Sequence, residues 1–222
     1  MLSSNGEMNE RPRPNGGNHL NGNNFDQRTP LDKVVFSVVD LETTGGAPPE
    51  HKITEIAAYH IENLEITDEY CTLVDPERVI PAFITGLTGI SSEMTGDKPP
   101  SRDVLPDVLE FFGDSVLVAH HSQFDRSFLD NELGLAGLGH LRNADLCTSR
   151  LARRILGWLP SKSLGNLAAY FGIRITDRHR AAADAFATCK LLLVLLEYLQ
   201  HRGVESLEEV LLFQYGEYEY QR

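Results

Sequence analysis

The sequence predicts an α/β fold, a mixed β-sheet flanked by α-helices in one folded domain. Three features of the chain point to it. Val34–Leu41 is apolar on both faces, the pattern of a central strand covered on both sides. Two more strand-like segments follow, Ile53–Ile61 and Glu65–Val74, after which helical and strand patterns alternate. A long helical pattern then runs over Ala181–His201, and its leucine-rich middle demands burial.

Each element has a local reason. Asn63 marks a turn between the second and third strands, although Leu64 stands where a tight hairpin favours glycine. Asp103–Phe112 reads as a helix, with Pro106 acceptable only inside its first turn. Ser115–Ala119 is a short apolar strand. Ser122–Leu133 reads as a helix with Ser122 as its N-cap. Leu146–Leu156 and Ser163–Phe171 are further helices, and Gly172 suits the C-terminal end of the second.

The chain has 222 residues and a hydrophobic fraction of 41%, enough for one core of ordinary size. Residues 1–30 hold seven asparagines, four glycines and three prolines, and read as a flexible N-terminal tail. The folded domain is expected over 31–201. Residues 202–222 form an acidic, aromatic C-terminal extension, expected as a short helix over Ser206–Leu212 and a frayed or loosely docked end. The net charge of −12 excludes a generally basic protein that coats DNA. The longest apolar run, Leu191–Leu196, is far short of the roughly 20 residues that span a membrane. Cys71, Cys147 and Cys189 are an odd number without zinc-ligand spacing, so a reducing, cytoplasmic setting is expected.

Three segments can carry chemistry. Asp40-Leu41-Glu42-Thr43-Thr44-Gly45 ends the first strand, and two acids two residues apart share one face. They either flank a cation or are simply solvated at the strand end. In Val118–Asp125 a strand gives way to a helix, and Asp125 lies three residues after Ser122. That spacing equally fits a capping box. In His179-Arg180-Ala181-Ala182-Ala183-Asp184, five residues on a helix turn through about 140°, too far for one face. To share a site, His179 must lie on the loop before the helix and Asp184 inside it. Taken singly, His179 equally reads as a surface histidine and Asp184 as a polar helix residue. The alanines after Arg180 permit close packing on the sheet.

Together, Asp40, Glu42, Asp125 and Asp184 with His179 resemble the signature of the DEDDh, or DnaQ-like, 3′–5′ exonucleases. That family includes the epsilon proofreading subunit of bacterial DNA polymerase III. The resemblance runs from about Val34 to Leu199 and extends to Leu87-Thr88-Gly89-Ile90 and Leu164-Gly165-Asn166-Leu167. His121 departs from it, because the family usually has asparagine there. The resemblance implies an RNase H-like fold and hydrolysis of terminal phosphodiester bonds to nucleoside 5′-monophosphates. It implies Asp40, Glu42, Asp125 and Asp184 as ligands of two Mg²⁺ or Mn²⁺ ions, and His179 as general base. It implies Thr43, Thr44, Leu87 and Thr88 as the lining of the terminal nucleotide. Four carboxylates are chemically suited to two hard cations about 4 Å apart.

Residues 142–180 hold eight basic side chains against two acids, a local positive stretch in an acidic protein. It either guides a strand's phosphates or forms a solvated helix face. The expected partners are single-stranded or frayed 3′ ends of DNA, and a DNA polymerase in which the chain serves as a subunit. RNA remains an alternative substrate, since sugar choice depends on the fit around the 2′ position. A non-catalytic nucleic-acid or polymerase-binding module is the reading from another class, and the complete set of acids stands against it.

Overall fold

The computed structural model describes residues 28–218. The expected tail falls largely outside the described residues. Five strands form one sheet: β1 (Phe36–Thr43), β2 (Ile53–Glu62), β3 (Glu65–Leu73), β4 (Val116–Ala119) and β5 (Asp145–Cys147), in the order β3-β2-β1-β4-β5. β1, β2 and β3 pair antiparallel, whereas β1–β4 and β4–β5 are parallel. This is the mixed sheet expected, with β1 at its centre.

Alternation along β1 divides the core. Phe36 and Val38 point to one face, where they meet α5 (Thr148–Ile155), α6 (Leu164–Phe171), α7 (Ala181–Gln200) and α8 (Leu207–Tyr215). Val39 and Leu41 point to the other, against α3 (Ser101–Phe112) and α4 (Ser122–Leu135). Asp40 and Glu42 therefore continue the face that α7 covers. α7 starts close to the sheet because only alanines intervene: Ala181 and Ala185 are fully buried against Ala57 of β2.

Several local expectations change. Asn63 and Leu64 both take left-handed backbone angles, φ 50° and 62°, so the β2–β3 hairpin forms without its glycine. α3 begins two residues earlier than the pattern suggests, which places Pro106 beyond the first turn. The helix accepts it because Val104, Leu105, Val108 and Phe112 are buried. Ser122 does not cap α4: its hydroxyl donates instead to Asp145 Oδ2 at 2.9 Å, and the capping box with Asp125 does not form. The stretch 146–156 is divided, with β5 ending at Cys147 before α5 begins. Two short helices, α1 (Ala82–Thr88) and α2 (Ser92–Thr95), arise where no periodicity announced them.

The described part of the C-terminal segment builds into the core. Val204, Leu207, Val210 and Phe213 are buried with the leucines of α7. Ser206 and Glu209 form a reciprocal capping box at the start of α8, a device worth about 1 kcal/mol. Gln214 completes edge strand β5: its Oε1 accepts the Cys147 N–H at 3.0 Å and its Nε2 donates to the Asp145 carbonyl at 2.7 Å. On the other side, the Leu31 N–H donates to the Glu205 carbonyl and the Leu207 N–H to the Thr29 carbonyl. Among the described residues, no helix is long and apolar enough to cross a membrane.

Candidate active site

The C-terminal end of β1 delivers two acids to one face, and α7 delivers a third. One carboxylate oxygen each from Asp40, Glu42 and Asp184 lies within 4.8 Å of the others. Asp125 is buried in the first turn of α4 and stands outside that set of three, yet close enough for its charge to act on Asp40. The four acids predicted from separate segments thus converge at one end of the sheet.

Burial raises the pKa of each acid, and crowding adds to it at Asp40, Glu42 and Asp125. Asp40 is raised well above the ordinary carboxylate range by desolvation, then by the charges of Asp125, Asp184, Glu42 and Glu55. Glu42 is pushed up to about 7 by desolvation, then Asp184 and Glu55, with Arg180 opposing. Asp125 is pushed up to about 8, chiefly by burial, against hydrogen bonds from the backbone of Asp125 and Leu41. Asp184 is raised by burial and lowered in part by the His179 N–H.

Such a cluster asks for positive charge at its centre. All donors are hard carboxylate oxygens, the set that Mg²⁺ and Mn²⁺ prefer. Asp184 Oδ1 is also buried without a hydrogen-bond partner, an acceptor left over for something outside the chain. The residues present fit a divalent cation.

His179 lies on the loop before α7, where the rotation argument requires it. It is half-buried, with a left-handed φ of 64°. Its N–H donates to Asp184 Oδ2 at 3.1 Å, which leaves the imidazole available. His120 does a different job. It is buried between Thr148 Oγ1 at 2.9 Å and the Lys162 carbonyl at 2.8 Å, and desolvation lowers it to about 4, so it is neutral. The carbonyl requires the proton on Nε2, so Nδ1 accepts from Thr148. His121 is exposed beside it.

The four expected nucleotide-lining residues divide. Leu87 is 52% exposed on α1. Thr43, Thr44 and Thr88 are buried, with their hydroxyls engaged locally. Thr43 Oγ1 donates to the Gly45 carbonyl at 2.6 Å, and Thr44 Oγ1 accepts the Lys52 N–H at 3.0 Å. Thr88 Oγ1 donates to the Ile84 carbonyl and accepts the Ile90 N–H. The threonines therefore shape their loops, and Leu87 is the side chain that faces outward. A Cβ at Gly45 would meet the His51 ring, so a larger residue there would require that ring to move.

The basic stretch is also divided. Arg150 bonds Tyr215 and pairs with Asp145, and Arg154 lies over the Phe213 ring. Arg153 is exposed, and its charge reaches His120 and His121. Arg178 is exposed and its charge acts on Asp184. Sequence reasoning missed Glu55, a buried acid paired with Arg180. Its signal was available: within Ile53–Ile61 it occupies an inward-facing position that strand alternation reserves for an apolar residue.

The exonuclease family profile, RNase_T, matches residues 37–192, a span holding every one of these acids. The chain belongs to the exonuclease family. It is 37% identical over 165 residues to the DNA polymerase III subunit epsilon of Aquifex aeolicus, covering 74% of this chain and 82% of that one. It is 40% identical over 175 residues to the PolC-type DNA polymerase III of Caldanaerobacter subterraneus, where it covers 79% of this chain but spans only 12% of the relative. Among solved structures, exonuclease X in complex with 5′ overhanging duplex DNA superposes with a TM-score of 0.61 at 27% identity, covering 73% of this chain and 92% of that one. The expected DEDDh-type exonuclease and RNase H-like fold are thereby borne out. Exonucleases of this family depend on divalent metals, and the acidic cluster is present.

Proposed function

We propose that this exonuclease removes nucleotides from single-stranded or frayed 3′ ends of DNA, in the cytoplasm, as a proofreading or repair activity beside a replicative polymerase. The observation that carries the reading is the convergence of Asp40, Glu42 and Asp184 within 4.8 Å, with Asp125 adjoining. The polymerase association is supported by the similarity to an epsilon subunit and to a PolC-type polymerase. The cytoplasm agrees with cysteines that are all free.

Asp40, Glu42, Asp125 and Asp184 would hold two Mg²⁺ or Mn²⁺ ions. Such ions, when bound, activate water and stabilise the charge that develops on the phosphate and the departing 3′ oxygen. The side chains perform the remaining work. His179 takes the proton of the attacking water on its imidazole, held at the mouth of the site by its backbone bond to Asp184. Leu87 packs against the terminal nucleotide, on a helix end shaped by Thr88. Thr43 and Thr44 hold the turn that follows Glu42. Arg153, whose charge reaches His121, and Arg178, whose charge reaches Asp184, offer exposed positive charge for the strand's phosphates.

The test is a 5′-labelled oligonucleotide series: single-stranded DNA, a duplex with a mismatched 3′ end, and matched RNA. The expected result is stepwise shortening of the DNA strands with Mg²⁺ or Mn²⁺, release of 5′-monophosphates, and arrest by EDTA. Faster shortening of RNA would move the substrate to that class. No shortening of any strand in either metal would overturn the reading.

A further inference from the structure

α7 carries Asp184 in its first turn, yet its own sequence provides no cap. Arg180, at the N-cap position, makes no side-chain cap bond. The free N–H groups there need acceptors. One acceptor comes from a strand: Glu55 Oε2 takes the Ala181 N–H at 2.8 Å. The same carboxylate holds the Arg180 guanidinium from two sides, Nε to Oε2 at 3.1 Å and Nη2 to Oε1 at 2.5 Å. Glu55 is 1% exposed and its bond to the Ala181 N–H is buried, whereas the Arg180 side chain stays 38% exposed.

Its place in the sheet gives this arrangement its meaning. Glu55 pairs with Glu42 across β1 and β2, at the step where the register shifts between Glu42 and Thr43. One strand position therefore faces the acid cluster and the start of α7 together. The distance from Ala181 to Asp184 is less than one helical turn. Asp184 itself returns the contact by accepting the His179 N–H. Two sets of bonds thus meet at the helix start, Glu55 with Arg180 and Ala181, and His179 with Asp184, joined through the Asp184 N–H donating to the Arg180 carbonyl.

We propose that Glu55 is a positioning residue: with Arg180 as its partner it caps α7 from the neighbouring strand, and so sets Asp184 and His179 against Asp40 and Glu42. Its function rests on the metal-dependent reading of the site, but the capping itself does not. Glu55 is not one of the cluster of three, and both of its oxygens are committed to Arg180 and Ala181.

The full chain is tested as wild type, Glu55→Gln, Glu55→Ala and Arg180→Met. Hydrogen–deuterium exchange reads the helix start directly, melting in EDTA checks the fold, and Mn²⁺ affinity by electron paramagnetic resonance reads the cluster without turnover. In Glu55→Ala, exchange should rise at residues 179–184 more than elsewhere, and Mn²⁺ affinity should fall about 10- to 100-fold, as for other groups that orient metal ligands. Glu55→Gln keeps an acceptor for the Ala181 N–H and should recover much of both. Unchanged exchange at 179–184 in folded Glu55→Ala, or Mn²⁺ affinity within about twofold of wild type, would overturn the proposal. Should Glu55→Ala fail to fold, the same two readouts on Glu55→Gln and Arg180→Met decide it, since each must show a smaller loss in the same direction. A wild type that binds no Mn²⁺ would instead sink the metal-dependent reading, with the exchange result left to judge the cap.

Discussion

His179 and Asp184 meet through the backbone: the His179 N–H lies 3.1 Å from Asp184 Oδ2, although five residues separate them. The contact is possible because His179 leaves the helix with a φ of 64°. A bond made by the main chain survives a change of side chain, so holding Asp184 and moving a proton are separable roles. His179→Ala should lower kcat by about 10²- to 10⁴-fold, the usual span for a general base, while Mn²⁺ affinity stays within a few-fold. The acidic limb of the pH–rate profile should vanish with it. An unaltered profile would exclude His179 as the base.

Asp40 stands between the other acids, and every charge named beside it raises its pKa. Asp40→Ala removes a proposed metal ligand and relieves that repulsion together. Turnover should fall below detection, while the melting temperature in EDTA stays level or rises. Measurable turnover with wild-type metal dependence would place the reacting phosphate elsewhere.

Stability should depend on pH in a way that metal reverses. Glu42 is raised from 4.5 to about 7 and Asp125 from 3.8 to about 8. A carboxyl raised on folding favours the folded state below its unfolded pKa, and that contribution is lost as pH rises through the folded value. In EDTA the melting temperature should therefore decline from about pH 5 to pH 8 on account of these groups. His120 acts in the opposite direction: lowered from 6.5 to about 4, it favours the folded state above pH 6.5 and loses that contribution as pH falls towards 4. Calorimetry with and without Mg²⁺ checks both, and the increment from Mg²⁺ should be larger at pH 8 than at pH 5.5. An equal increment at both would contradict the cluster's role.

Leu87 has more than half its surface exposed, so Leu87→Ala should leave the melting temperature within about 1 °C, since exposed substitutions cost little. Against an oligonucleotide, KM should rise several-fold with a smaller change in kcat, through lost packing on the terminal nucleotide. Steady-state kinetics on a defined single strand gives the split. No change in either constant would remove Leu87 from the binding surface.

Much of this was legible from the chain alone, for physical reasons that differ by residue. The central strand showed because burial on both faces suppresses polar positions from Val34 to Val39. The placement of His179 followed from helix rotation, which forbids it a place on the face of Asp184. Longer-range effects were not legible. Ser122 sits where a cap is expected, but Asp145, 23 residues away in sequence, captures its hydroxyl. Gln214 gave no sign in sequence that it would complete the edge of β5. Thr43, Thr44 and Thr88 read as lining residues, yet local bonds, in the turn after β1 for the first two and back to the Ile84 carbonyl within α1 for Thr88, engage their hydroxyls. Glu55 was legible as an acid at an inward-facing strand position, but its pairing with Arg180 was not, because that partner lies 125 residues further along.

The most direct measurement is the anomalous scattering of crystals soaked in Mn²⁺. The account predicts a manganese peak at the end of β1, within about 2.0–2.4 Å of carboxylate oxygens from both Asp40 and Asp184, the range for hard cations on oxygen. Manganese bound only at other surfaces, with these carboxylates bare, would contradict it.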